Sequence, residues 1–311
     1  MQLSPGLRWK LDRFREQVSR MFGASAPEQR RPQLCPACGT LVGSTATKCH
    51  QCGASLTFGM AAATRSLSRL MPTESPVTYG ILTLSCLLYA ATLVATIREN
   101  GLQAPGGGGL GALMSLGGIS NRVLIRFGAS VPWPYDLVQP WRLIMATFLH
   151  GSLLHIGFNM WVLMDIGPQI EELYGSARYL FIYVATGIGA FFVSGLLGRH
   201  VSIGGSGALL GLIGVLLAMT MAHKTAAMQM LRSQLIRWLV YIGILGIMMS
   251  GTDNFAHAGG LITGFLMGRV MMARPPMSDQ EKTRATLLGW TSAIVVAASL
   301  GFVAVGIIVA H

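Results

Sequence analysis

The sequence predicts an all-α fold, a polytopic bundle of transmembrane helices that follows a small soluble module. Of its 311 residues, 52% are hydrophobic and only 11% are charged, and the mean hydropathy is +0.54. These values are typical of a protein that crosses the bilayer several times and not of a soluble enzyme. Seven apolar runs are long enough to cross a bilayer as helices. They lie at about 77–97, 152–170, 177–197, 204–222, 234–250, 255–273 and 287–310.

The basic residues are distributed unevenly around these runs. If the N-terminus is cytoplasmic, 18 of the 23 lysines and arginines lie on the cytoplasmic side and five lie outside. This bias follows the positive-inside rule and predicts the orientation of the helices. Membrane topology therefore explains the net charge of +11, and binding to nucleic acid is not expected.

Residues 1–30 are predicted to form a basic arm. Apolar side chains recur at helical spacing from Leu3 to Met21 among several arginines, which is the pattern of an amphipathic helix that lies on anionic lipid. A solvated or poorly ordered arm explains these residues equally well. A mitochondrial transit peptide explains them less well, because Asp12 and Glu16 interrupt the pattern.

Residues 31–56 are predicted to form a ribbon-like zinc module, and residues 57–76 a linker. Two C-x-x-C pairs, each followed by glycine, supply the four ligands, which are Cys35, Cys38, Cys49 and Cys52. Two such turns complete a tetrahedral zinc site. Disulfides are the alternative, which the reducing cytoplasm disfavours, and His50 could replace Cys49. The zinc is expected to be structural and necessary for folding of the module, because no base accompanies an open coordination position.

Polar residues interrupt the apolar pattern around the start of the second span. Trp141 and Arg142 precede it and are typical of an interfacial anchor. His155 and Asn159, four residues apart, share one face of the helix, and His150 lies at its mouth or on the opposite side. A lone histidine in a helix is most often a core residue. Two histidines and an amide within ten residues of a membrane helix favour a functional site.

Ser206 and His257 are the candidate nucleophile and base. Ser206 begins the fourth span in Gly204-Gly205-Ser206-Gly207, where free backbone N–H groups could receive an oxyanion, although a serine in a membrane helix usually bonds back to its own carbonyls. His257 is followed by glycines at small-xxx-small spacing, so its helix can approach another closely enough for a Ser–His hydrogen bond. Asp253 is predicted to lie at the water boundary, and a dyad is therefore preferred to a triad.

Taken in order, these residues resemble the rhomboid family of intramembrane serine proteases. The resemblance covers roughly residues 77–273, which would form a six-helix protease core. The zinc module and residues 274–311, a linker with a seventh helix, would be additions to it. The matching motifs are Trp141-Arg142, the H-x4-H-x3-N pattern from His150 to Asn159, Gly167-x3-Glu171-x3-Gly175, Gly204-x-Ser206-Gly207 and Ala256-His257-x2-Gly260-x3-Gly264. Any one motif is weak, whereas all five in order are specific.

The resemblance implies a water-filled active site below the outer membrane surface. Ser206 would attack the scissile carbonyl, and His257 would accept its proton and pass it to the leaving amine. His155, Asn159 and the backbone N–H of Ser206 would hold the oxyanion. Supporting roles would fall to His150 beside the site, to Trp141 and Arg142 in the first loop, and to Glu171 at the inner surface.

The implied substrates are single-span transmembrane proteins, cleaved near the outer face of the membrane without a catalytic cofactor. The expected location is a bacterial plasma membrane, with the N-terminus cytoplasmic, and a protein partner is among the expected roles of the zinc module. One departure from the family is Leu210, where an aromatic side chain often stacks on the histidine. The alternative is a non-catalytic relative that binds membrane proteins. A zinc-dependent protease or transporter is not favoured, because no H-E-x-x-H motif occurs.

Overall fold

The computed structural model describes residues 33–34, 41–43, 50–51, 75–100, 116–198, 200–222, 225–248, 251–271, 274 and 276–309. The chain divides into two units, residues 1–70 and 71–311. The predicted arm at 1–30, the four cysteines of the predicted zinc module and residues 57–74 of the predicted linker lie outside the described residues.

The first unit has one short antiparallel strand pair among its described residues. β1 (Gln33–Leu34) pairs with β2 (Leu41–Val42), and Leu34 lies opposite Leu41. These two residues flank the segment that carries Cys35 and Cys38 in the sequence. Within the described ranges, no three His, Cys, Asp or Glu side chains are placed to hold a metal, and the predicted cysteine ligands are not among them.

The regular structure described in the second unit is helical, apart from a single bridge between Ser130 and Ser202. Three helices are short: α2 (Asn121–Arg126), α3 (Tyr135–Val138) and α4 (Trp141–Met145). The long helices are α1 (Pro76–Asn100), α5 (Leu153–Tyr174), α6 (Ser176–Leu197), α7 (Ser206–Ala222), α8 (Ala226–Met248), α9 (Asn254–Val270) and α10 (Asp279–Val309). Each long helix lies at one of the seven apolar runs.

Three of the described helices are long and apolar enough, by length and composition, to cross a membrane: α1, α6 and α10. Helix α7 is apolar but has only 17 residues. Helix α5 is long enough, but it carries Asp165 and the pair Glu171-Glu172. Of the helices that fall short, α5, α7 and α9 pack against α6, and α8 packs against α7.

Helix α7 lies at the centre of the bundle. Thirteen of its residues are buried, on all sides of the helix, and it packs chiefly against α9 and α6. A 17-residue helix rises about 25 Å, whereas the 22 residues of α5 rise about 33 Å. The central helix is therefore about 8 Å shorter than α5 and as long as α9, its main neighbour.

Arg142 organises the loop between α1 and α5. Its guanidinium Nη1 donates hydrogen bonds to the carbonyl oxygens of Ile125 (2.7 Å) and Ala129 (3.0 Å), and its Nε donates to Gln139 Oε1 (2.6 Å). The guanidinium also lies 4.8 Å from the ring centre of Trp141. These contacts join the end of α2 to the start of α4, so this side chain closes the loop on itself.

Helix α10 packs along α6 and reaches the same loop. The ring of Phe302 stacks on Trp141 with centroids 6.2 Å apart, and Gly289 faces Ala177 near the start of α6. Just before α10, Arg274 donates to both carboxylate oxygens of Glu281 at 2.9 and 3.0 Å. The seventh helix is therefore part of the bundle, in contact with it along most of its length.

Glu171, near the end of α5, ties three elements together. Its Oε1 accepts hydrogen bonds from the backbone N–H of Val77 (2.9 Å) and from Ser176 Oγ (2.7 Å). Its Oε2 accepts from the backbone N–H and the hydroxyl of Thr78, both at 2.8 Å. The carboxylate thus caps the first turn of α1, where backbone N–H groups have no partner within the helix.

Glu171→Gln is expected to reduce the free energy of unfolding by about 1.5–3 kcal/mol, because hydrogen bonds to a charged group are replaced by weaker ones and an amide N–H₂ faces two donors. The measurement is a reversible unfolding titration in detergent. Glu172→Gln is the matched control, since Glu172 is the neighbouring carboxylate and is exposed. Equal losses for both variants would show that the cap contributes nothing.

Candidate active site

Ser206 and His257 are in hydrogen-bond contact. Ser206 is the first residue of α7, and His257 lies in the first turn of α9. The Ser206 Oγ and the His257 Nε2 are 2.8 Å apart, within the range of a nucleophile and its base. Both residues are partly exposed. For Nε2 to accept the serine proton, the ring hydrogen of neutral His257 must be on Nδ1.

Asp253 fixes the start of α9, and so the position of His257. Its Oδ1 accepts hydrogen bonds from the backbone N–H of Phe255 (3.0 Å) and Ala256 (2.9 Å), as an N-cap does. Its Oδ2 accepts a hydrogen bond from the hydroxyl of Ser194 on α6. The carboxylate is thus occupied by the helix end and by α6, which agrees with a dyad rather than a triad.

Glycines allow α7 and α9 to approach so closely. A methyl group placed on Gly260 would lie 1.9 Å from the carbonyl oxygen of Gly207, and one on Gly264 would lie 1.9 Å from that of Gly211. Carbon and oxygen atoms do not approach so closely, so only glycine fits at these positions in α9. The contact runs over two successive turns from Gly260 to Gly264, and this close seam brings Ser206 and His257 together.

The segment before Ser206 is fixed by the loop between α1 and α5. The backbone N–H of Gly204 donates to the carbonyl oxygen of Ala146 (2.8 Å). Gly204 has φ of +122°, which L side chains rarely adopt. A Cβ there would also lie 2.6 Å from His155 Nε2. Glycine is thus required at this position for two reasons: the backbone conformation of the turn into α7, and the lack of space for a side chain beside the His155 imidazole.

His155 presents an N–H group to this turn. The backbone N–H of Gly151 donates to its Nδ1 (3.4 Å), so the hydrogen of the neutral ring is on Nε2, the nitrogen that lies against Gly204. Ser152 caps α5 through a hydrogen bond from the backbone N–H of His155 to its hydroxyl (3.3 Å). The cap fixes the first turn of α5, and therefore the direction of the imidazole.

Asn159 lies one turn deeper on the same face and is 2% exposed. Its Nδ2 donates to the carbonyl oxygen of His155 (2.8 Å), which leaves the second hydrogen of that amide nitrogen free to reach a ligand. The Oδ1 has no hydrogen-bond partner among the described residues and lies 3.6 Å from the place of a Cβ on Gly205. The amide thus borders the Gly204–Ser206 turn.

His150 is fully buried behind His155. Its Nδ1 is 3.2 Å from the carbonyl oxygen of Phe148, and the two imidazole rings meet edge to face with centroids 5.1 Å apart. Its Nε2 has no partner among the described residues. His150 therefore packs on the ring of His155, and its recorded contacts do not include Ser206.

Three of the predicted supporting residues lie elsewhere. Trp141 and Arg142 are in the loop that holds Gly204 in place through Ala146, and Glu171 is at the opposite end of α5. Glu171 is 16 residues from His155 along that helix, or about 24 Å. Leu210, one turn after Ser206, is buried in the core.

One polar group near the site was not predicted. Asp165 on α5 accepts hydrogen bonds from Gln234 Nε2 (2.9 Å) and Trp238 Nε1 (2.7 Å) of α8. Above this carboxylate the Trp238 ring packs edge to face on Phe158 and Trp161. The sequence signal was available, since a carboxylate within a predicted span is expensive and needs a partner. The contact makes Asp165 the polar attachment of α8 to α5.

Residues 138–274 match a family model described as the Rhomboid domain. RHOMBOID-like protein 6, mitochondrial, of Arabidopsis thaliana is 34% identical over 181 residues, which are 55% of this chain and 57% of the relative. Rhomboid protease GluP of Bacillus subtilis (strain 168) is 32% identical over 149 residues, which are 48% of this chain and 29% of the relative. Rhomboid-like protease 2 of Toxoplasma gondii is 32% identical over 185 residues, which are 58% of this chain and 60% of the relative.

The chain spans about half the length of the curated relatives it matches. Together with the apolar helices, the domain match indicates a multi-pass membrane protein. The relatives come from a plant, a bacterium and a parasite, and one of them is named as mitochondrial. The matches therefore do not favour the bacterial plasma membrane that was expected from the sequence.

Proposed function

From the rhomboid family, which the domain match and the relatives support for this chain, we propose that it is an intramembrane serine endopeptidase. Its substrates are transmembrane proteins, cleaved by a Ser206–His257 dyad near the outer face of the membrane. The observation that carries the proposal is the 2.8 Å contact between the Ser206 Oγ and the His257 Nε2 at the start of α7. Two of the relatives are named proteases.

In the first step, Ser206 Oγ forms a bond to the scissile carbonyl carbon while His257 Nε2 takes the hydroxyl proton. The resulting imidazolium then gives this proton to the leaving amine as the C–N bond breaks. Water next attacks the acyl-enzyme, with His257 again as the base. Ser206 and His257 are both partly exposed, so water can reach the ester. No step needs a metal or another cofactor.

The oxyanion has three donors in this scheme. They are the N–H at His155 Nε2, the free amide hydrogen of Asn159 and the backbone N–H of Ser206 at the start of α7. Each such donor contributes about 10²–10³ in rate in other serine hydrolases. The positive end of the α7 dipole adds to their effect. His150 takes no proton in this scheme and keeps the His155 ring in place.

A fluorophosphonate probe is expected to label the purified protein, because a serine with an adjacent base attacks phosphorus as it attacks a carbonyl. Gel fluorescence measures the labelling, and Ser206→Ala is expected to abolish it. Ser202→Ala, which removes a buried hydroxyl four residues away, is the control that keeps its label. An unlabelled wild-type protein with an unchanged melting temperature would instead favour the alternative, a non-catalytic rhomboid-like protein that binds membrane proteins.

The N-terminal module has a separate proposed role. A structural zinc ion is held by four cysteines, Cys35, Cys38, Cys49 and Cys52. The paired C-x-x-C spacing and the strands that flank the first pair support this role. Four thiolates suit Zn²⁺ and leave no position for catalysis. The module faces the cytoplasm with the N-terminus, where it is available to a protein partner.

Chelation of this zinc is expected to unfold residues 31–56 and to leave peptide hydrolysis in detergent unchanged. The reason is that the metal stabilises the fold of this module and not that of the helical unit. Metal content, limited proteolysis of the N-terminal segment and the cleavage rate are measured on the same sample. Cys35→Ser with Cys38→Ser should reproduce the effect of the chelator. Loss of hydrolysis with an intact helical spectrum would contradict this assignment.

A further inference from the structure

A cavity of about 200 Å³ lies where α6 begins and α10 enters the bundle. It is at the end of the second unit opposite the Ser206–His257 pair, since α5 rises about 33 Å from Leu153 to Tyr174. That length equals the thickness of the hydrocarbon core. The lining residues from the α5–α6 turn are Tyr174, Gly175, Ser176, Ala177 and Arg178, and those from the α10 side are Pro276, Lys282, Ala285 and Thr286. The cavity therefore opens at the headgroup layer of the inner leaflet.

Two cations line this cavity from opposite sides. Arg178 extends from the first turn of α6 and donates one hydrogen bond, from Nη1 to the carbonyl oxygen of Arg274 (3.1 Å). Lys282 extends from the first turn of α10, and its ammonium has an exposed contact with Asp279 at 3.5 Å. Two further carboxylates nearby have partners of their own: Glu281 is held by Arg274, and Glu171 accepts hydrogen bonds from Ser176 Oγ and from the start of α1. Among the described residues that line the cavity, the charged ones are Arg178 and Lys282.

The start of α6 adds backbone donors. Its N-cap residue is Gly175, which has no side chain to accept a bond from the first turn, so the N–H groups of that turn are available to a ligand. The hydroxyl of Ser176 is already bonded to Glu171. Such a helix start attracts anions, and here two basic side chains flank it.

Tyr174 gives an independent sign of a ligand. It lines the cavity, its side chain is 0% exposed, and its hydroxyl has no hydrogen-bond partner among the described residues. A buried phenol without a hydrogen-bond partner is energetically unfavourable. A ligand oxygen in the cavity would accept the hydrogen bond that Tyr174 cannot make within the protein.

We propose that this cavity binds a phosphate group, supplied by the headgroup of an anionic phospholipid. The donors come from Arg178, Lys282, Tyr174 and the first turn of α6, and the depth is that of lipid phosphates. Basic pockets between transmembrane helices on the cytoplasmic side are suited to such headgroups. The bound lipid connects α10 to the α5–α6 turn and so stabilises the attachment of the seventh helix. The proposal is independent of peptide hydrolysis.

The test uses the full chain in a neutral detergent and its melting temperature, followed by tryptophan fluorescence. Phosphatidylglycerol is titrated in mixed micelles, with phosphatidylcholine and inorganic phosphate in parallel titrations. Phosphatidylglycerol is expected to raise the melting temperature to a plateau. Lys282→Gln should raise the half-saturating lipid concentration about fivefold, the equivalent of one basic side chain at a membrane surface. Tyr174→Phe should raise it about two- to tenfold, through one lost hydrogen bond.

Arg284→Gln is the matched control, because Arg284 is an exposed cation two residues after Lys282 and is not part of the cavity lining. It should leave the half-saturating concentration unchanged. Equal effects of Lys282→Gln and Arg284→Gln would overturn the proposal in favour of diffuse surface charge, as would the absence of any shift with phosphatidylglycerol. If inorganic phosphate produced the same Lys282-dependent shift, the phosphate site would stand and its assignment to lipid would be overturned.

Discussion

His257→Ala is expected to lower kcat for cleavage of a transmembrane substrate on the order of 10⁶-fold, as much as Ser206→Ala, because nucleophile and base act as one unit. The 2.8 Å contact is the physical basis: without the imidazole, the serine proton has no acceptor at neutral pH. The double variant should be no slower than either single variant. Residual hydrolysis would come from the oxyanion donors and substrate binding alone.

The measurement is steady-state cleavage in proteoliposomes, with the melting temperature of each variant as the test of folding. His200→Ala is the control, because His200 is an exposed imidazole six residues before Ser206. Its rate should equal that of the wild type. A His257→Ala protein that kept activity within tenfold of the wild type would rule out the dyad, whatever the contact distance.

Gly264→Ala is expected to reduce the free energy of unfolding by about 3 kcal/mol and the cleavage rate by about 10²-fold. The new methyl group would lie 1.9 Å from the carbonyl oxygen of Gly211 and 2.5 Å from its carbon. Both are backbone atoms, which cannot turn aside, so α9 must move away from α7. Overpacking typically costs 1–3 kcal/mol. His257 lies two turns along the same helix, and a shift of about 1 Å at a catalytic group can cost 10²-fold.

The control for this prediction is Gly301→Ala in α10, where a methyl group would meet no atom within 4 Å. That substitution should leave activity unchanged and stabilise the helix by up to about 1 kcal/mol. Thermal unfolding and cleavage are measured together for both variants. If Gly264→Ala were as stable and as active as Gly301→Ala, the close seam between α7 and α9 would not be what positions the dyad.

Much of the fold was predictable because a membrane helix must be apolar along its whole length. The apolar runs predicted the places of the seven long helices. The start of α8 was predicted poorly: the apolar run begins at about residue 234, whereas the helix begins at Ala226. The reason is that the first turns of this helix carry polar residues such as Gln229 and Arg232. The glycine spacing of the fourth and sixth spans predicted that these two helices pack closely, and this is confirmed by the contact of α7 with α9.

Contacts between distant elements were not predictable from the sequence. The bonds from Gln234 and Trp238 to Asp165 join residues about 70 positions apart, and no periodicity records such a pairing. The stacking of Phe302 on Trp141 likewise depends on where α10 packs. A local pattern shows which face of a helix is apolar or small. It does not show which neighbour that face will meet.

The division between strongly and weakly apolar helices has a consequence for biogenesis. Helices α1, α6 and α10 can partition into lipid on their own, whereas α5 carries one imidazole, two amides and three carboxylates that oppose transfer. The turn between α5 and α6 is one residue long, so the two helices can leave the translocon together as a helical hairpin. The apolar α6 then favours the insertion of α5. His155 and Asn159, the oxyanion donors proposed on α5, would thus enter the bilayer already shielded by α6.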